Sequence, residues 1–276
     1  MAMAGLEGGL LNPKETVMCS GSKEFFGHRF RCGARSGHGR LDLKRALQYS
    51  CNIYFYELGR RLGIDKIAAF SRKIGLGAAT GVDLTGEAPG IVPSREWKKK
   101  TTGMPWFAGE TISVSIGQGP VLVTPLQVAL VLTTISRGQF VQPHIRMDRN
   151  SHNVQSFPQE YLKPIKDGLW LAVNDSGTGR AAHIDGMGVA GKTGTVQIIS
   201  RTTLEKLPPV QAAKFKPNAW FAGFAPMDDP QIVVAVIIER GGDGGRVAAP
   251  IARDIFQAYT QKFFKTPESL KLAAGR

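Results

Sequence analysis

The 276-residue sequence predicts an α+β fold: a helical front part, then strands that pair with their sequence neighbours. Three observations carry this. Apolar residues recur at helical spacing in several stretches before residue 175. From about residue 189 the pattern becomes that of strands, over 189–199, 219–225 and 232–239. The turn Ala225-Pro226-Met227-Asp228-Asp229-Pro230 joins the last two strands closely enough to predict an antiparallel hairpin, and an apolar helix follows to cover it.

Taken in order, residues 1–10 carry Met1, Met3 and Leu6 with no cap before them and predict the remainder of a helix that begins earlier. Residues 12–40 are rich in Gly, Ser and Arg and predict loop. Asp42 is an N-cap candidate for a helix with Leu43, Ala46 and Leu47 on one face. Ser50-Cys51-Asn52 interrupts that helix, which resumes through Tyr54, Leu58 and Leu62 to Gly63, with a further helix over 65–74. Residues 75–124 predict irregular chain with turns at 86–93 and 117–120. Thr124-Pro125 reads as N-cap and first residue of a helix to about Ser136. Residues 158–174 predict an amphipathic helix on Tyr161, Leu162, Ile165, Leu169 and Val173. The closing helix, 250–264, has Ile251, Ile255, Tyr259 and Phe263 on one stripe, and 265–276 predict a frayed tail.

Composition bounds the function. Hydrophobic content of 42% with 21% charged residues is ordinary for a globular chain able to bury a full core. No apolar run approaches the ~20 residues that span a bilayer, and the first residues lack the basic and apolar regions of a signal peptide. The net charge of +13 favours anionic partners. It is scattered, however, with Lys98-Lys99-Lys100 its only run, and no aromatic–basic alternation marks a nucleic-acid platform. Cys19, Cys32 and Cys51 have no zinc-ligand spacing, so no metal is predicted; Cys19 and Cys32 form either a disulfide or two free thiols. Cofactors are likewise not predicted.

Two short words carry chemistry. Gly191-Lys192-Thr193-Gly194-Thr195 lies in a stretch otherwise rich in β-branched residues. Glycine inside a strand marks close approach of a backbone or ligand, unless it is an incidental bulge. Two hydroxyls and an ammonium there suit a carboxylate or a developing oxyanion. Ser50-Cys51-Asn52, taken alone, reads as a helix break, since serine and asparagine favour caps and turns. Other residues carry less. His38, between glycines, reads as a loop hydrogen-bonding residue, and His144, His152 and His183 show no partner spacing. Ser176-Gly177-Thr178-Gly179 is too short for a phosphate loop, and Glu239-Arg240-Gly241-Gly242 reads as a strand end.

Together with their surroundings these words resemble the transpeptidase domain of class B penicillin-binding proteins, most closely those of the cell-elongation machinery. The resemblance rests on Ser50-x-Asn52 and Lys192-Thr193-Gly194, on Gly37-His38-Gly39-Arg40-Leu41, Pro93-Ser94-Arg95-Glu96-Trp97 and Ile116-Gly117-Gln118-Gly119. Thr124-Pro125-Leu126-Gln127 and Trp220-Phe221-Ala222-Gly223-Phe224 also fit, so that it covers residues 1–264, a partial transpeptidase domain followed by the tail. It implies the penicillin-recognising serine transpeptidase fold, an antiparallel sheet with flanking helices and a helical subdomain. The implied activity is D,D-transpeptidation of peptidoglycan stem peptides through an acyl-enzyme that β-lactams also form. By the family pattern Ser50 relays a proton, Asn52 holds the donor amide, Lys192 places positive charge near Ser50, and Thr193 and Thr195 take the substrate carboxylate. Gly194 lets the substrate approach, and the Thr195 N–H forms part of an oxyanion hole. The implied partners are stem peptides, β-lactams and an elongation-complex glycosyltransferase, with no nucleic acid, at the periplasmic face of the inner membrane in the complete protein.

The same pattern requires a nucleophilic Ser-x-x-Lys, and the resemblance places it just upstream of Met1. Ser20-Gly21-Ser22-Lys23 matches formally but falls in a Gly-rich loop, after the helix such a motif should open. The chain is therefore expected to be inactive alone. The alternative is a non-catalytic penicillin-recognising module that binds a stem peptide or a protein partner.

Overall fold

A computed structural model describes residues 1–149 and 152–263. The chain divides into two units, between Gly168 and Leu169, and within each the described residues are compact. The predicted tail, 265–276, lies outside the described residues.

In the first unit α1 (Ala2–Glu7) buries Ala2, Met3, Ala4 and Leu6. Residues 12–40 are not loop. They form β1 (Val17–Cys19), β2 (Ser22–Phe25), β3 (His28–Arg31) and β4 (Gly39–Leu41). β2 and β3 make an antiparallel hairpin inside the longer antiparallel pairing of β1 with β4. The hairpin turn is Phe26-Gly27, with φ of 51° and 75°. Two positive φ values give the turn that matches strand twist. Phenylalanine at its first position, and strands of three or four charged-rich residues, hide it from pattern reading. Phe25 and Phe30 pack edge-on against each other and against Tyr56, which seats the hairpin.

α2 (Leu43–Gln48) starts as predicted, with the Asp42 carboxylate accepting from the Arg45 N–H at 2.9 Å. α3 (Asn52–Lys73) follows after the break at Ser50, and a non-helical Gly63 at φ 71° divides it where two helices are predicted. Residues 75–124, predicted irregular, contain α4 (Arg95–Thr102) and α5 (Ala108–Val114). α4 is capped by Ser94 Oγ, which accepts from the Trp97 N–H at 3.1 Å, and ends at a left-handed Gly103. Only a turn or two long, these helices show no sustained periodicity. α6 (Pro125–Arg137) has the predicted N-terminus, a capping box between Thr124 and Gln127, and stops at left-handed Gly138. Gln127 is fully buried and donates to the carbonyls of Ala78 and Pro89, so one amide holds two loop crossings. β5 (Gln139–Val141) and β6 (Asn153–Ser156) pair antiparallel. α7 (Gln159–Asn174) begins in the first unit and ends in the second, and buries Leu162, Ile165, Leu169 and Val173, four of the five stripe residues.

In the second unit β7 (Ala190–Val196), β8 (Asn218–Ala225) and β9 (Ile232–Ile238) form an antiparallel sheet in the order β7-β8-β9. The β8–β9 hairpin closes at Ala225 opposite Ile232, as predicted. Two short helices, α8 (Arg201–Glu205) and α9 (Pro209–Ala212), lie between β7 and β8. α10 (Ala248–Phe263) covers the sheet, but not with the predicted stripe. Its buried residues are Ala248, Ala249, Ala252 and Phe256. Ile251, Ile255 and Phe263 are 38%, 42% and 59% exposed. The periodicity is helical on both faces. The alanines let the helix axis come close to the sheet, and Phe256 fills what remains of the core with Phe221, Val234 and Val236.

Candidate active site and metal centre

The second unit holds the lysine–threonine word on β7. Pairing with β8 sets Lys192 opposite Ala222, Gly194 opposite Trp220 and Thr195 opposite Ala219. The Lys192 ammonium is desolvated by burial, which lowers its pKa to about 8, and it donates to the Thr193 carbonyl at 3.1 Å. What approaches Gly194 closely is another backbone. A Cβ on Gly244 would lie 2.3 Å from the Gly194 carbonyl oxygen and 2.4 Å from that of Trp220, so the turn after β9 can pass there only as glycine. From that turn the Gly244 N–H donates to Thr195 Oγ1 at 3.2 Å. From the other side comes the loop that reads in the sequence as too short for a phosphate site. Its Thr178 hydroxyl is 2.9 Å from Thr193 Oγ1. Thr178, read in the sequence as part of too short a loop, and Gly244, which the sequence does not single out, are site neighbours; neither carries a chemical signature apart from the fold.

The first unit holds the Ser-x-Asn word at the break between α2 and α3. Ser50 sits at φ 54°, a conformation that non-glycine residues rarely adopt, and its N–H is bound to the Leu47 carbonyl at 3.3 Å. The strain turns the chain sharply, so that Asn52 begins the next helix. The Asn52 side-chain amide donates to the Arg31 carbonyl at 3.3 Å, and Tyr56 OH donates to the same oxygen at 3.4 Å. Ser50 and Asn52 thus belong to one unit and Lys192, Thr193, Gly194 and Thr195 to the other.

The residue between Ser50 and Asn52 joins a cluster that sequence spacing does not reveal. Cys19, Cys32, His38 and Cys51 bring one ligand atom each to within 4.8 Å of one another. All three thiols are free and buried, so the disulfide alternative does not hold in this structure. His38 Nδ1 lies 3.6 Å from Cys19 Sγ and 3.5 Å from Cys32 Sγ, and its ring stacks on Tyr49. In a tetrahedral zinc site with Zn–S ~2.3 Å and Zn–N ~2.05 Å, the S···N edge is about 3.6 Å. Three sulfurs and one imidazole nitrogen are a structural zinc donor set, here with the cysteines buried and His38 half-buried. The Cys32 thiol is held well below its usual pKa, chiefly by a hydrogen bond from Cys51 and by the N–H groups of Asn52 and Ala34, while the same hydrogen bond pushes the Cys51 thiol up. The ligands come from β1, from the segment after β3 and from the Ser-x-Asn break. The spacing of the cysteines gave no sign of this cluster: the β1–β4 hairpins, read as loop, fold Cys19, Cys32 and His38 back onto Cys51.

Comparison with known proteins decides the family. The family described as the penicillin-binding protein transpeptidase domain matches residues 1–257. The chain belongs to this family. Among curated transpeptidase relatives, peptidoglycan D,D-transpeptidase MrdA of Haemophilus influenzae is 37% identical over 84% of this chain and 38% of its own length. MrdA of Acinetobacter baumannii is 35% identical over 96% of the chain and 42% of its own. Penicillin-binding protein 2 of Pseudomonas aeruginosa, solved in complex with WCK 5153, superposes with a TM-score of 0.81 at 32% identity, over 94% of this chain and 56% of that one. Helicobacter pylori penicillin-binding protein 2, solved with MreC, gives 0.84 at 28% identity, over 95% and 48%. The chain spans about two fifths of the length of the MrdA relatives. The α+β architecture is that of this transpeptidase family.

The formal Ser-x-x-Lys match, Ser20 to Lys23, lies outside any helix. Ser20 lies between β1 and β2, with its hydroxyl donating to the Ser22 carbonyl at 3.0 Å. Lys23, on β2, is ion-paired with Glu57. Among the described residues no helix is long and apolar enough to cross a membrane.

Proposed function

We propose that this chain is the substrate-holding part of a peptidoglycan D,D-transpeptidase of the cell-elongation type. Lys192, Thr193, Gly194 and Thr195 bind the terminal D-Ala carboxylate of a stem peptide. Asn52 holds the donor amide, Ser50 relays a proton, and the Thr195 N–H serves a developing oxyanion. One observation carries the reading: a desolvated lysine, Lys192, on the same strand as Thr193 and Thr195, at the end of the β7-β8-β9 sheet, in a chain matched to the transpeptidase domain over residues 1–257. On this reading Ser20 is not the acyl-accepting serine, and the chain alone is expected to bind the peptide without turning it over. In the complete protein the reaction lies at the periplasmic face of the inner membrane, alongside a glycosyltransferase. A structural neighbour solved as part of a peptidoglycan synthase complex supports that partner.

The test is direct. The chain is incubated with labelled penicillin and its intact mass measured, and Nα-acetyl-L-Lys-D-Ala-D-Ala is titrated separately. Peptide binding with no covalent adduct is expected. A stoichiometric adduct mapped to Ser20, or no preference for the free D-Ala carboxylate over its amide, overturns the reading.

A further inference from the structure

The loop carrying Thr178 is built more rigidly than its glycines suggest. The Gly179 N–H donates to the Ala172 carbonyl at 2.8 Å, and Arg180 Nη1 to the Asn174 carbonyl at 3.0 Å. A Cβ on Gly177 would lie 2.5 Å from Ala172 Cα, so the loop lies flush against the end of α7. The Asn174 side chain, at that helix end, donates to the Val189 carbonyl at 2.7 Å, directly ahead of β7, and meets His183 Nδ1 at 2.8 Å. On its far side the Thr178 carbonyl leaves no space for a Cβ on Gly245, which would lie 2.6 Å away. The backbone of Thr178 is therefore held between α7, the entry to β7 and the turn after β9. Its hydroxyl accepts a hydrogen bond from Thr193 Oγ1 at 2.9 Å.

We propose that Thr178 is a positioning residue for carboxylate recognition by Thr193, an inference that rests on the reading given under Proposed function. A threonine hydroxyl has one proton and two acceptor lone pairs. Without ligand the two hydroxyls share one hydrogen bond. When a carboxylate arrives, Thr193 turns its proton to the carboxylate oxygen, and Thr178 supplies its own proton to Thr193 Oγ1. The result is a chain, Thr178 O–H to Thr193 O–H to carboxylate, in which the first bond polarises the second. Thr178 does not touch the ligand. It fixes the Thr193 rotamer and makes its proton a better donor.

The experiment titrates the 276-residue chain with Nα-acetyl-L-Lys-D-Ala-D-Ala and with the C-terminal amide of the same peptide, by calorimetry or by NMR. The readout is the ratio of the two affinities, which a general loosening of the fold would not shift selectively. Thr178→Val removes the donor at nearly constant volume and is expected to cut that ratio about fivefold, the size of one lost neutral hydrogen bond. Thr178→Ser keeps the hydroxyl and is expected to restore the ratio, and Thr178→Ala is expected to behave as Thr178→Val. If the unsubstituted chain prefers the carboxylate and Thr178→Val keeps that preference, the inference about Thr178 falls and the functional reading stands. If the unsubstituted chain does not distinguish the two peptides, both fall. An equal loss for both peptides, or failure of serine to rescue, assigns Thr178 a structural role and overturns the proposal.

Discussion

His38 Nδ1 lies 3.5 Å from Cys32 Sγ, about the separation of two ligands on a tetrahedral zinc ion. Cys51, in the same cluster, is the central residue of Ser50-Cys51-Asn52. An ion held there ties the β1–β4 hairpins to the strained break at Ser50, and so tethers the part of the first unit proposed to meet substrate. Protein purified without chelator should carry about one zinc per chain by plasma mass spectrometry. Cys32→Ser and His38→Ala should release it and lower the melting temperature by about 5 °C or more, because metal affinity that exists only in the folded chain is folding stability. Metal-free protein with an unchanged melting temperature would count against the site.

Lys192 gives a pH dependence with a defined sign. Burial lowers its pKa to about 8, so it is charged at neutral pH and neutral above that value. Affinity for Nα-acetyl-L-Lys-D-Ala-D-Ala should therefore fall as pH rises through about 8, with a bound carboxylate pushing the inflection upward. For stability the sign is opposite. Between about pH 8 and the usual lysine value the unfolded chain holds more protons than the folded one, so this group's contribution to stability rises with pH across that window. Lys192→Met should abolish both inflections in titrations followed by calorimetry and thermal melts. A variant with the same pH profile as the parent would refute the assignment.

The face by which α10 packs can be read by substitution. Phe256 is fully buried and Ile255 is 42% exposed. Phe256→Ala should cost about 3–5 kcal/mol, the usual loss for a large core aromatic. Ile255→Ala should stay within about 0.5 kcal/mol, as surface substitutions do. Chemical denaturation of the two variants checks this, and a reversed order would restore the stripe expected from the sequence.

Glu110 holds two groups at once. Its Oε2 accepts from Lys98 Nζ at 2.6 Å and from the Phe107 N–H at 2.8 Å. Lys98 is buried, with its ammonium 4.3 Å from the Phe107 ring centroid. Glu110→Ala leaves that ammonium with its aromatic neighbours but without its carboxylate, and uncaps α5. Because the Glu110 side chain is 34% exposed, the cost should be about 1–3 kcal/mol rather than that of a fully interior pair. Lys98→Met in the Glu110→Ala background should recover part of it, and equilibrium denaturation of both variants makes the comparison.

Long periodic stretches were legible from the sequence. Asp42, Thr124-Pro125 and Gly63 mark helix ends because caps and glycines act locally, within a few residues of the group they satisfy. The β8–β9 hairpin was legible for the same reason, since its turn is short and its strands adjoin. The β1–β4 hairpins were not, because strands of three or four residues with a Phe26-Gly27 turn carry almost no periodic signal. Of the candidate site, Lys192 to Thr195 and Ser50 to Asn52 could be named from their words. Thr178 and Gly244 could not, since a threonine in a glycine-rich loop and a glycine in a turn gain meaning only from what they touch.

The order of residues was enough to establish the α+β class, the family and the chemical words, because each depends on local propensity or on a string of neighbours. Folding alone decided which face of α10 is buried, that Cys19, Cys32, His38 and Cys51 share a point, and that Thr178 meets Thr193. Those are relations between residues far apart in the chain. They are settled by packing density and by the need of buried polar atoms for partners, neither of which is written in the spacing of the letters.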